Sequence, residues 1–356
     1  MKTKTSYRAV QVTAPGVLEL VERPRPTPGP MEVLLEVQAC GMCGADISDV
    51  SAVREGPRVP GHEVVGRIVE VGANVPSLWS VGMRVGVGRL GGHCNACSAC
   101  RQGLFQLCRN QPIVGSSCDG GYAEMMLART TGLVAIPDAL ASVDAAPLLC
   151  AGLATFNALR HSGALAGDLV AVQGIGGLGH LALQYARKMG FRVVAVGRGQ
   201  DIADAVLALG AHRYIDTREE DAVKTLQAMG GAQLILTTLT DGEAASALMP
   251  ALAPRGKCLV LGVGKTPLSV AAGWLVSGER SIEGSITGTP FEAERALDFS
   301  MLAEVRPSVE TMPLERAREA YDRLASGKAQ FRMVLTMDQG RPGVCRARAR
   351  APDAST

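Results

Sequence analysis

The chain has 356 residues, 47% of them hydrophobic and 20% charged, with a formal net charge of +2. That length exceeds one ordinary core and predicts two domains, while the apolar content excludes a disordered chain. The charges are spread along the sequence, so neither nucleic acid nor an anionic membrane is expected as a partner.

No uninterrupted apolar run predicts a bilayer span, and the polar stretch Met1–Val10 lacks the apolar core of a signal segment, so a cytoplasmic protein is expected. In that setting the ten cysteines read as thiols or metal ligands rather than a disulfide framework.

Residues 1–145 carry Gly, Pro and short β-branched runs such as Val33–Val37, Gly66–Val71 and Arg84–Val87, the texture of a β-rich domain. Within it Cys43 stands in Cys40-Gly-Met-Cys43-Gly44, and His62-Glu63 follow Pro60-Gly61. Cys94, Cys97, Cys100 and Cys108 then space as C-x2-C-x2-C-x7-C in a Gly-rich loop. Four thiolates complete a tetrahedral zinc and leave no position for water, so the loop reads as a structural site. Iron–sulfur ligands or four unrelated thiols also fit that spacing. Cys43, His62 and Cys150 form a dispersed Cys2His set, the kind that holds a catalytic zinc with one position open. Taken singly, Cys150 reads equally as a core thiol and His62 as a hydrogen-bonded loop residue.

From about Asp144 helix and strand patterns alternate: an Ala/Leu-rich helix at 144–162, then strands at 168–173, 191–196, 213–215, 233–238 and 257–262. Helices at 177–190, 201–209 and 219–229 separate them, so the chain is α/β with a doubly wound parallel sheet over 146–285. Gly174-Ile175-Gly176-Gly177-Leu178-Gly179 falls between the first strand and its helix, the context in which such glycines cradle a dinucleotide pyrophosphate. The next strand ends in Gly197-Arg198-Gly199, where an acidic residue would take the ribose 2′-hydroxyl of NAD. A guanidinium there favours NADP(H), with a solvated Arg198 as the bland alternative. Residues 286–340 hold helices at 291–304 and 314–326 and a strand at 330–336; the Arg-rich 341–356 reads as a frayed tail.

These motifs, with Asp119-Gly-Gly-Tyr-Ala-Glu124 and Ala146-Pro-Leu-Leu-Cys150-Ala-Gly, closely resemble the zinc-containing alcohol dehydrogenases of the medium-chain dehydrogenase/reductase superfamily over residues 7–338. The resemblance implies a GroES-like catalytic domain, 1–145 and 286–340, interrupted by a Rossmann domain. It implies two zincs per chain, the catalytic one on Cys43, His62 and Cys150 with Glu63 beside it. It also places the nicotinamide carboxamide at Leu261-Gly262-Val263, and it implies a homo-oligomer, dimer or tetramer, acting on a small alcohol or carbonyl compound.

Three features depart from the pattern. Ala45 and Ser48 occupy the positions where relatives relay the alcohol proton, and Ala45 cannot carry one. Only 18 residues separate Cys43 from His62, apparently fewer than in many relatives. Arg89 stands where several bacterial relatives have Trp; lining the pocket it would suit a polar or anionic substrate, and pointing to the surface it would mean little. The leading expectation is an NADP(H)-preferring alcohol/carbonyl oxidoreductase. Alternatives are a reductase of a conjugated C=C or C=N bond, to which Ala45 points, and a non-catalytic nucleotide-binding protein. Cys118, Cys258 and Cys345 read as ordinary thiols.

Overall fold

The computed structural model describes residues 5–53 and 55–337; the expected tail 341–356 and Cys345 lie outside the described residues. Six parallel strands form one sheet in the order Arg213–Asp216, Arg192–Gly197, Leu169–Gln173, Ala232–Thr237, Leu252–Val260, Ser281–Gly284. Numbered along the chain this is the order 3-2-1-4-5-6 of a dinucleotide-binding sheet. Leu169–Gln173 is buried at all five positions, as a strand covered on both faces must be. The chain winds away from it in both directions, so a crevice opens at its carboxyl end, where the glycine-rich turn begins.

A second sheet, of seven strands, draws on both ends of the chain. Val309–Pro313, Arg332–Thr336, Glu32–Met42, Glu63–Val71, Arg84–Val87 and Leu133–Ala135 are neighbours in that order, and Met125–Arg129 pairs with the first half of Glu32–Met42. The hairpin Ser6–Ala14/Val17–Pro24 packs beside it.

The helix expected at 144–162 is not continuous. Ser142–Pro147 gives way to a wide π turn, Leu148–Gly152, before Leu153–His161. Pro147 lacks an N–H and crowds the preceding turn, so the regular ladder fails where it enters the wider one. The Thr155 hydroxyl donates back to the carbonyls of Ala151 (2.7 Å) and Gly152 (3.1 Å), where the wide turn passes into the regular helix. Taken whole, Ser142–His161 is long and apolar enough to cross a membrane, but 83% of it is buried inside the protein. It lies in the core, packed on the seven-stranded sheet and on the helix that follows Leu169–Gln173, and Asp144, Thr155 and Asn157 interrupt its apolar run. The strand expected at 257–262 also differs, running from Leu252 to Val260.

Candidate active site

Gly41 lies opposite Glu63 across one pair of antiparallel strands, and Met42 opposite Met333 across the next. That register gathers Cys43, His62, Glu63 and Arg332 at one end of the seven-stranded sheet, and the π turn delivers Cys150 from the core helix. The ligand atoms of Cys43, His62, Glu63 and Cys150 lie within 4.8 Å of one another, and all four residues are buried. Cys43 Sγ is 3.9 Å from Cys150 Sγ, which is 3.6 Å from His62 Nε2. A tetrahedral zinc with ordinary Zn–S and Zn–N bonds spans edges of about 3.8 Å between sulfurs and about 3.5 Å from sulfur to nitrogen. The three donors therefore fit one zinc.

Around them sits a shell the sequence did not reveal. Asp46 Oδ2 accepts hydrogen bonds from the Cys43 N–H (2.9 Å) and the Tyr122 hydroxyl (2.9 Å), while its Oδ1 lies 2.9 Å from His62 Nδ1. A carboxylate on Nδ1 turns Nε2 toward the two sulfurs, the arrangement that orients a metal-binding imidazole. Burial alone would lower the His62 pKa, but Asp46 and the Cys43 sulfur raise it to about 10. The Cys43 thiol is held well below its usual range, chiefly by the bond from Cys150. The carboxylate and sulfur that favour a proton on His62 Nε2 equally favour a metal cation in that proton's place.

Arg332, only 2% exposed, pairs with Glu63 Oε1. Glu63 Oε2 is buried with no hydrogen-bond partner among the described residues, as a carboxylate held in reserve beside a metal would be. Burial raises the Glu63 pKa to about 7 against the opposing pull of Arg332. The same guanidinium packs on the glycine-rich turn: a Cβ built on Gly177 would stand 2.7 Å from Arg332 Nη1. Arg332 thus ties the donor cluster to the dinucleotide turn.

In that turn the glycines stand where side chains would not fit or would close open space. Gly174 has φ +89°, and a Cβ there would meet Thr238 Oγ1 at 2.6 Å. Nothing lies within 4 Å of a Cβ on Gly176, so the space in front of it is open. Ile175 and Leu178 pack against the core, and Gly179 begins the helix Gly179–Lys188. At the far end, Gly197 closes its strand and Arg198 is exposed. A carboxylate does lie close by: Asp216 Oδ1 accepts the N–H groups of Gly199 (2.9 Å) and Arg218 (3.0 Å) and is occupied by them. Leu261 is buried, Gly262 sits tight against Leu239, and Val263 is 94% exposed.

Ala45 is half-buried and Ser48 exposed, on the helix Gly44–Ser51 that Cys43 caps. Arg89 is not a free cation: it pairs with Asp49, and its Nη1 lies 3.3 Å from His62 Nδ1. The four loop cysteines also converge. Cys97 Sγ is 3.5 Å from Cys100 and 3.9 Å from Cys108, and Cys94 Sγ is 4.0 Å from Cys100, again the edges of a tetrahedral zinc. The N–H groups of Cys97, Cys94 and Asn110 donate to these sulfurs at 3.4 Å. Cys118 and Cys258 stand apart from both donor sets. Asp46, Asp49, Arg218 and Arg332 are the site residues sequence reasoning missed. Of these only Asp46 left a local sign, as the acidic third residue of the helix that Cys43 caps.

Comparison with known proteins agrees with this architecture. Residues 29–138 match the alcohol dehydrogenase GroES-like domain family, and residues 177–302 match the zinc-binding dehydrogenase family. The chain is 43% identical over 337 residues to alcohol dehydrogenase notN of an Aspergillus species, covering 94% of this chain and 99% of that protein. It is 34% identical to NADP-dependent alcohol dehydrogenase C 1 of Mycolicibacterium smegmatis, covering 94% and 98%. The structure superposes on acetophenone reductase from Geotrichum candidum in complex with NAD, with a TM-score of 0.84, 26% identity and coverage of 94% and 98%. The chain is an oxidoreductase belonging to the zinc-containing alcohol dehydrogenases of the medium-chain dehydrogenase/reductase superfamily.

Proposed function

We propose that this oxidoreductase is zinc-dependent, prefers NADP(H), and interconverts an alcohol with an aldehyde or ketone by hydride transfer. The observation that carries the reading is the buried convergence of Cys43, His62, Glu63 and Cys150, bridged by Arg332 to the glycine-rich turn. Cys43, His62 and Cys150 would hold the catalytic zinc, with Glu63 in reach, and Cys94, Cys97, Cys100 and Cys108 a structural one. Zinc polarises a carbonyl or lowers an alcohol's pKa, and the nicotinamide gives or takes the hydride. Asp46 orients His62, Arg332 holds Glu63, and Gly174–Gly179 with the following helix receives the pyrophosphate. Leu261-Gly262-Val263 is our candidate for the carboxamide end.

Arg198 supports the NADP(H) preference, since the adjacent Asp216 is engaged by backbone N–H groups and Arg218 adds a second guanidinium. A relative that carries NADP dependence in its name points the same way. With Ala45 silent, we assign the proton to Ser48 on the exposed side of the same helix, passing it to solvent. Because Asp49 matches the charge of Arg89, a polar substrate suits the cleft better than an anionic one. All nine described cysteines are free, in keeping with a reducing cytoplasm. A dimer or tetramer is expected through the open edge strand Ser281–Gly284, beside a helix, Ala272–Ser277, that buries none of its residues.

Ala45 favours a second reading, reduction of a conjugated C=C bond, which leaves an enolate and makes other demands on proton delivery. Cinnamaldehyde offers both bonds, so NADPH oxidation with product identification separates the two. Cinnamyl alcohol is the expected product; 3-phenylpropanal would replace this reading with the second.

A further inference from the structure

A cavity of about 530 Å³ opens in the β-rich domain, and none of its lining residues belongs to either four-donor set. Part of its lining flanks both sets along the chain: Val59 leads into His62, Gly91 into Cys94, and Pro112 follows Cys108. The volume falls within the range of small-molecule sites, which combine an apolar body with a few placed polar groups. Here Val59, Val87 and Val114 are buried and, with Met125, form an apolar floor. Arg23, Arg25 and Arg129 stand among the polar lining residues.

The charges differ in how they are matched. Arg23 pairs with Asp119 at 2.8 Å and Arg25 with Glu70 at 2.7 Å. Glu32 accepts the Gly29 N–H at 3.0 Å. Arg129 is exposed and donates to a neutral acceptor, the Asn110 carbonyl, at 3.2 Å. A guanidinium presents five N–H donors in a planar fork suited to a carboxylate. With Arg23 and Arg25 matched by carboxylates, one guanidinium facing a neutral acceptor suits a single negative charge. The floor suits a hydrocarbon chain or ring.

We infer that this cavity is a second ligand site, separate from the zinc cleft, for a small apolar carboxylate whose charged end meets Arg129. The inference does not depend on which bond the enzyme reduces.

The test is equilibrium dialysis of radiolabelled octanoate against the zinc-loaded, full-length enzyme, with octanamide as the uncharged competitor. Wild type should bind octanoate, and octanamide should displace it only at about tenfold higher concentration than unlabelled octanoate does. Arg129→Gln, at an exposed position, should raise the Kd about tenfold, the size of one charge-assisted contact, and leave alcohol oxidation unchanged. A carboxylate bound only in the zinc cleft would give the same isotherm in both proteins. That result, no binding to wild type, or displacement by octanamide as readily as by octanoate would each overturn the assignment.

Discussion

Arg332 and Glu63 are 269 residues apart in the chain and form an ion pair buried at both ends. Removing one member strands the other without water, a change that typically costs about 3–5 kcal/mol. Arg332→Met should therefore lower unfolding stability by that order in urea titration, and it should weaken dinucleotide binding because the same side chain packs on Gly177. A variant as stable as wild type with unchanged cofactor affinity would show that the bridge does nothing. Two further substitutions bear on the chemistry. Arg198→Asp should shift the NADPH/NADH ratio of kcat/KM toward NADH by at least about tenfold, and an unmoved ratio would remove the 2′-phosphate argument. Ala45→Ser should raise carbonyl reduction if proton delivery limits it, since such help is worth up to about 10²–10⁴-fold. No gain would mean that Ser48 or water already serves. At this scale the four loop cysteines were legible from their spacing, whereas the dispersed Cys43, His62 and Cys150 were singled out as a set only through the family resemblance. Arg332 was not legible, because its partner comes from a distant strand and a buried arginine carries no sequence mark. Arg89 was legible as a position, but its pairing with Asp49, 40 residues away, was not.

His180 begins the first turn of the helix that follows the glycine-rich loop. Its ring stacks on Phe331 at 4.9 Å, Nδ1 lies 3.2 Å from the Gly176 carbonyl, and the Ser308 N–H approaches Nε2 at 3.3 Å. The neutral ring with its proton on Nδ1 satisfies both contacts. Burial, reinforced by the charge of Arg332, holds its pKa at about 3. The unfolded chain takes up this proton first, near pH 6.5, so the stability tied to His180 is intact above that pH and lost as pH falls toward 3. The loss reaches roughly 2 kcal/mol at pH 5. His180→Gln should flatten the fall in unfolding free energy between pH 7 and pH 5 by about that amount; an identical acid limb would place the sensitivity elsewhere. The cysteine loop makes the complementary case. Cys97→Ser opens one corner of the sulfur tetrahedron, and a loss of about 3 kcal/mol would lower Tm by roughly 4 °C in a chain of this length. Unchanged melting would show that the loop needs no metal. The alternating strands and helices after residue 168 were readable because a parallel sheet buries both faces and its strands appear as unbroken apolar runs. The break at Leu148–Gly152 was not, because composition alone cannot distinguish a straight apolar helix from one that Pro147 forces to widen. That widened turn is what sets Cys150 beside Cys43.

At the level of the whole molecule, two sheets meet so that the carboxyl end of Leu169–Gln173 faces the donor cluster. Arg332 spans the junction, and the non-catalytic reading gives way to that of an enzyme. The open edge of the dinucleotide sheet carries exposed Val276 and Ile286 beside Ser281–Gly284. Val276→Glu should thus shift light-scattering mass toward the monomer without changing the zinc sites; an unaltered assembly would place the interface elsewhere. The two-domain plan was visible from length and from the change of texture near residue 144. The union of 1–145 with 286–340 came only from the family resemblance, because strands contributed by both ends of the chain carry no local mark of each other.

The account rests on two separate zinc sites, one closed by sulfur and one left open for chemistry. Zinc content of the purified protein, measured by plasma mass spectrometry in wild type and in Cys150→Ser, tests it directly. Two zincs per chain are predicted, falling to one in the variant with loss of alcohol oxidation. A single zinc in wild type, still present with full activity in Cys150→Ser, would contradict it.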